Sequence, residues 1–122
     1  MYIFVIMLLK RLVIKDKEGK DDIVEAIYDS TNLLKTTYLI EQRRLYVYFR
    51  KGIVYSYYAV DREMYDGLET AQSQGVYHKE HLSNNRMYPY AREFKMLNFE
   101  IQDINEEIEK AKKLLNENRT PE

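Results

Sequence analysis

Leu45-Tyr46-Val47-Tyr48-Phe49-Arg50-Lys51-Gly52-Ile53-Val54-Tyr55-Ser56-Tyr57-Tyr58 decides the fold class of this 122-residue chain. Two runs of β-branched and aromatic residues flank a glycine-containing turn, which is the pattern of a β-hairpin. With Lys51 and Gly52 as a two-residue loop, Arg50 pairs with Ile53, Tyr48 with Tyr55 and Tyr46 with Tyr57. Side chains alternate faces with period 2, so those four tyrosines and Arg50 share one face. Leu45, Val47, Phe49, Val54, Ser56 and Tyr58 share the other. A tyrosine ring has an apolar body and a polar tip, and a row of them beside an arginine suits nucleobases joined to phosphate. The same row equally suits cover by a helix, because tyrosine is a good strand former and buried aromatics dominate cores.

Upstream of the hairpin the period stays at 2. Strands are predicted over Tyr2 to Ile14 in one or two pieces, Ile23 to Tyr28 and Leu33 to Ile40, separated by polar turns at 15–22 and 29–32. About five strands with short connections imply an antiparallel meander. The apolar start, Met1 to Leu9, is too short to span a bilayer. Lys10 and Arg11 follow it instead of preceding it, and no small-residue cleavage site appears, so it reads as a buried or dimer-contacting strand and not a secretory signal. Met7 is an alternative start.

Downstream the period changes. Asp61 is suited to cap a helix carrying Met64, Leu68 and Ala71, with Gly75 as its stop. Gly67 inside it costs about 1 kcal/mol relative to alanine, which points to close packing or to a tolerated cost. Residues 76–89 read as a loop or broken helix. Phe94, Leu97, Ile101, Ile104, Ile108, Ala111 and Leu115 then alternate steps of three and four, predicting a helix over 93–117. So narrow a stripe suits a partner helix or docking along a sheet, and with one other short helix available it points to a homodimer. The whole, residues 1–122, is expected to be one α+β domain.

Cysteine is absent, which excludes thiol nucleophiles, zinc ribbons and disulfide frameworks and fits a reducing cytoplasm. A net charge of −1 lacks the globally basic footprint of a duplex-DNA binder, so an anionic partner must meet a local patch.

From Leu45 to Tyr88 the chain resembles the KTSC domain. The matching positions are Leu45, Val47 and Phe49 leading to Gly52, then Tyr55-x-Tyr57, Val60, Tyr65, Leu68, Ala71, Ser73-x-Gly75-x-Tyr77, Leu82 and Tyr88. Residues 45–90 are thus expected to form a KTSC-like core. The chain departs from the pattern at Asp61, where the family commonly has proline, and at His78-Lys79, where Phe-Asn often follows. The resemblance implies an RNA- or tRNA-binding module as one reading. In size and layout, with strands before that core and a long helix after it, the chain also resembles phage anti-Thoeris proteins. That resemblance implies a non-enzymatic sponge in the cytoplasm of the bacterial host, sequestering a cyclic ADP-ribose-type signal made by TIR proteins.

A sponge binds without turnover, through aromatic stacking for adenine, arginine forks for pyrophosphate and polar groups for ribose. The segment from Asn84 to Arg92 offers all three. Arg86 and Arg92 would hold phosphates, Tyr88 or Tyr90 would stack, and Asn85 would read a base edge or ribose, with Tyr57, Tyr77 and Arg50 completing the set. The competing view is a solvated loop with Tyr88 in the core. Arg43, Arg44, Arg50 and Lys51 form a second basic group. His78 and His81 lack a third ligand at metal-binding spacing, and no partner orients either for catalysis, so no metal, cofactor or catalytic residue is assigned. An enzyme acting on nucleotides is the third reading.

Overall fold

The computed structural model describes residues 8–83 and 85–118. The alternating stretches form β1 (Leu8–Lys15), β2 (Asp21–Tyr28), β3 (Leu33–Leu39), β4 (Arg44–Phe49), β5 (Ile53–Tyr57) and β6 (Tyr90–Lys95). These six make one sheet in sequence order, every neighbouring pair antiparallel. Asp16 sets the first turn, its carboxylate accepting from the Glu18 and Lys20 N–H groups at 2.9 and 3.0 Å. Between β5 and β6 lie α1 (Arg62–Thr70) and α2 (Gln74–Tyr77), which runs into a π-helical turn at His78–Leu82; α3 (Asn98–Asn118) ends the described chain. The fold is α+β, as the sequence predicts. The predicted strand at residues 2–7 and the choice between Met1 and Met7 lie outside the described residues.

Two cores sandwich the sheet. On one face Val24, Leu33, Tyr38, Leu45, Val47 and Tyr57 pack against Tyr65 and Leu68 of α1 and Leu82 of the π turn. On the other, Ile27, Leu34, Val54 and Met96 meet Ile108 and Ala111 of α3, with Ile101 and Ile104 alongside. The Glu69 carboxylate, nearly buried on α1, accepts from Arg11 Nε at 2.7 Å and ties β1 to the helix.

The hairpin differs from its sequence reading by one residue. Leu45 pairs with Tyr57, Tyr46 with Ser56, Val47 with Tyr55 and Tyr48 with Val54. The loop is therefore Arg50-Lys51-Gly52, closed by the Gly52 N–H donating to the Phe49 carbonyl at 2.9 Å, with Gly52 at φ 99°. A glycine at the last position of a three-residue loop takes this left-handed conformation without strain. A one-residue change of register reassigns one strand's side chains relative to the other's. The four tyrosines accordingly divide, Tyr46 and Tyr48 toward α3, Tyr55 and Tyr57 toward α1 and α2.

Asp61 caps α1 as predicted, accepting from the Met64 N–H at 2.8 Å. The helix stops at Thr70 and not at Gly75, because Ala71 turns extended and Ser73 opens a second helix by accepting from the Val76 N–H. Gly75 lies inside that second helix, close against Asn32. The C-terminal helix begins at Asn98 and not at 93: Phe94 belongs to β6, which the sequence reading took for loop and helix. Glu100 marks the true start by reaching back to accept from the Leu97 N–H at 3.0 Å, half of a capping box. Ile101, Ile104, Ile108 and Ala111 of the heptad stripe lie along this chain's own sheet, while Leu97 at its start is exposed.

Candidate functional site

Strand alternation places Phe49, Tyr55 and Tyr57 on one face, and β6 brings Tyr90 opposite Tyr57 and Arg92 opposite Tyr55. The rings meet mostly edge to face. Centroids lie 5.9 Å apart for Phe49 and Tyr55, and 5.8 Å apart for Tyr55 and Tyr90. The π turn adds His78, 5.1 Å from Phe49 and 5.4 Å from Tyr57. Tyr55 is half-buried and Tyr90 is 63% exposed, so the cluster opens to solvent along β6. Such rings present apolar faces to a ligand while their hydroxyls remain able to hydrogen-bond.

The Tyr57 hydroxyl and His78 Nε2 are 2.6 Å apart. Burial pushes the imidazole down to about 4 and, with help from Tyr55 and Tyr90, pushes the phenol up to about 12. At neutral pH both groups are uncharged and hydrogen-bonded to each other.

Beside the rings is a hollow of about 480 Å3 lined by Thr31, Asn32, Phe49, Arg50, Lys51, Ile53 and Tyr55. A second hollow of about 400 Å3 is lined by Asp29, Ser30, Thr31, Arg50, Ser73 and Gln74. Thr31 and Arg50 belong to both. Arg50 is fixed there by donating from Nε to the Ser30 carbonyl at 2.6 Å and from Nη1 to Asn105 Oδ1 at 3.3 Å. Its Nη2 makes no hydrogen bond among the described residues. With Lys51 on the same wall, the first hollow carries positive charge beside aromatic surface, and Arg92 lies outside its lining, on β6 opposite Tyr55.

The predicted site residues separate accordingly. Tyr57, Tyr90, Arg92 and Arg50 come together around the rings and hollows. Tyr88, 8% exposed, belongs to the core. Asn85 builds its own turn, donating to the His81 carbonyl and accepting from the Met87 N–H, both at 3.0 Å. Arg86 is exposed on that turn. Tyr77 packs against His81 with ring centroids 4.3 Å apart and donates to the Met64 carbonyl.

The second basic group also divides. Arg50 and Lys51 face the first hollow, whereas Arg44 lies between the Tyr46 and Tyr58 rings, 5.0 and 4.7 Å from their centroids, and pairs with Glu93 at 2.6 Å. The Ser56 hydroxyl first, then Arg44, holds the Glu93 carboxyl below its ordinary range. Phe49, Tyr55, His78, Asn32 and Gln74 were missed as site residues. The first two were legible from alternation once the loop is given three residues; the others reach the site only through tertiary packing.

Residues 29–88 match the model of the KTSC domain. The chain carries a KTSC domain. Its match starts at 29, taking in β3, and not at 45. A crystal structure of a KTSC domain protein from Yersinia pestis is similar, with TM-score 0.55 and 18% identity over 59% of this chain and 99% of that one. At that identity the likeness shows the fold alone. No curated protein matches the chain. Every residue lining the two hollows falls within the KTSC match, while Tyr90, Arg92 and α3 come from sequence beyond it. At Asp61, where the family commonly has proline, the carboxylate supplies the cap directly. No helix among the described residues is long and apolar enough to cross a membrane.

Proposed function

We propose that this protein is a non-enzymatic sponge for a cyclic nucleotide immune signal of the cyclic ADP-ribose type. By sequestering the product of TIR proteins in the bacterial host cytoplasm, it would inhibit anti-phage defence. The observation that carries this reading is the aromatic-lined hollow beside Arg50, Lys51 and Arg92. Base stacking on Phe49, Tyr55 or Tyr90 and charge-assisted hydrogen bonds to pyrophosphate are the two interactions such a ligand requires. Binding without turnover is consistent with the local chemistry. The one imidazole in the cluster is neutral, half-buried and occupied by the Tyr57 hydroxyl.

The test is capture and release. Purified protein is incubated with extract from cells with an active TIR enzyme, freed of unbound small molecules and heat-denatured, and the released material is identified by mass spectrometry. Intact cyclic nucleotide is the expected result. A chemically altered product would replace the sponge by an enzyme, and an empty release would return the KTSC domain to RNA binding, for which a steep loss of affinity with salt is the signature.

A further inference from the structure

The second hollow has a different chemistry from the aromatic one. Gln74 is fully buried, and its Nε2 donates to the Ala71 carbonyl at 2.9 Å, which fixes the amide's orientation. Its Oε1 is left with no hydrogen-bond partner. A buried carbonyl without a donor is a destabilising arrangement, and native structures retain few of them. The remaining wall groups also offer acceptors or hydroxyls: the Asp29 carboxylate, which is paired with Lys112 at 3.2 Å, and the hydroxyls of Ser30, Thr31 and Ser73. A phosphate placed here would meet Asp29 and an orphan carbonyl. A group bearing O–H donors would satisfy both.

Resting on the nucleotide reading above, we infer that the polar hollow is the sugar subsite of one continuous ligand site. The base occupies the aromatic hollow, phosphate meets Arg50 on the shared wall, and a ribose hydroxyl donates to Gln74 Oε1. The site therefore selects ribonucleotides over sugars lacking those hydroxyls. Selection follows from pairing: a ligand without the hydroxyl leaves Oε1 as unsatisfied as it is in the free protein.

Calorimetric titration of the intact protein with cyclic ADP-ribose, ADP and 2′,3′-dideoxy-ADP tests this. ADP is expected to bind at least tenfold more tightly than its dideoxy analogue. Gln74→Met is expected to bring that ratio close to one. Equal affinities in the wild-type protein, as a buried water on Gln74 would produce, overturn the sugar subsite and leave the sponge standing. Binding of cyclic ADP-ribose without ADP also overturns the subsite, since ADP offers the same ribose hydroxyls. Binding of none of the three overturns both readings. The ligand comparison needs no variant, so it holds even where Gln74→Met, lacking the bond to Ala71, folds poorly.

Discussion

The Tyr57 hydroxyl and His78 Nε2 are hydrogen-bonded across 2.6 Å, and burial keeps both groups uncharged at neutral pH. The pair joins β5 to the π turn at the centre of the aromatic cluster, so its protonation state is linked to folding. His78 falls from an ordinary 6.5 to about 4 in the folded protein, meaning that the unfolded chain binds the proton more readily. Stability from this group is fully present above about pH 6.5 and is lost progressively as pH falls toward 4. Thermal melts should show that loss, of order 3 kcal/mol at most. His78→Phe should be less stable at pH 7, having removed the hydrogen-bond partner of a buried hydroxyl, yet flatter across this window. An equally steep pH dependence in His78→Phe would assign the acid sensitivity to other groups.

Gly67 and Tyr77 form a second coupled pair. A Cβ on Gly67 would lie 2.8 Å from Tyr77 Cζ, and closer still to its hydroxyl, which donates to the Met64 carbonyl. Gly67→Ala should therefore destabilise by about 1–3 kcal/mol through overpacking, although alanine is the better helix former. In a Tyr77→Ala background the clash is gone, and the same change should stabilise by up to about 1 kcal/mol. Urea denaturation of the four proteins measures the cycle. Like signs in both backgrounds would mean that glycine is retained here for another reason.

The stripe on α3 leads to a third expectation. Ile108 is 1% exposed against Ile27, Leu34 and Val54 of the same chain. Ile108→Ala should cost about 2–4 kcal/mol by opening a cavity. Because Ile108 itself is packed within one chain, the loss should be independent of protein concentration in the micromolar range. A concentration-dependent loss would restore a second copy to this face.

Which parts of the molecule were legible in sequence follows from how local their causes are. The α+β class, the strand meander and the Asp61 cap depend on short-range alternation and one carboxylate three residues from its N–H donor, and all can be read directly. The hairpin register depends on whether Arg50 joins the loop. Arg50 instead points its guanidinium to Ser30 and Asn105, twenty and fifty-five residues away, which no local pattern announces. β6 was hidden because Tyr-Ala-Arg-Glu-Phe-Lys alternates poorly where Glu93 sits at a bulge and turns to Ser56. The stripe on α3 was recognised, yet its partner could not be, since a sheet and a second helix make the same demand on period. The arginines of the site followed from composition, whereas Gln74 and His78 become noticeable only through burial.

Arg92 and Arg50 make separable predictions for ligand capture. Arg92 is exposed and makes no hydrogen bond or ion pair among the described residues, so nothing in the fold depends on its charge. Arg92→Glu should leave stability within about 0.5 kcal/mol of wild type. It should reduce retained cyclic nucleotide at least tenfold, through lost attraction and added repulsion. Arg50→Lys is different because the guanidinium holds the Ser30 carbonyl and Asn105 while lining both hollows. A lysine cannot reproduce that fork. Stability and capture should fall together, by about 1–2 kcal/mol for the former. Arg86→Glu, on the turn outside the cluster, provides the contrast. If it abolishes capture while Arg92→Glu does not, the ligand lies on the 85–88 turn and not on the β5–β6 face.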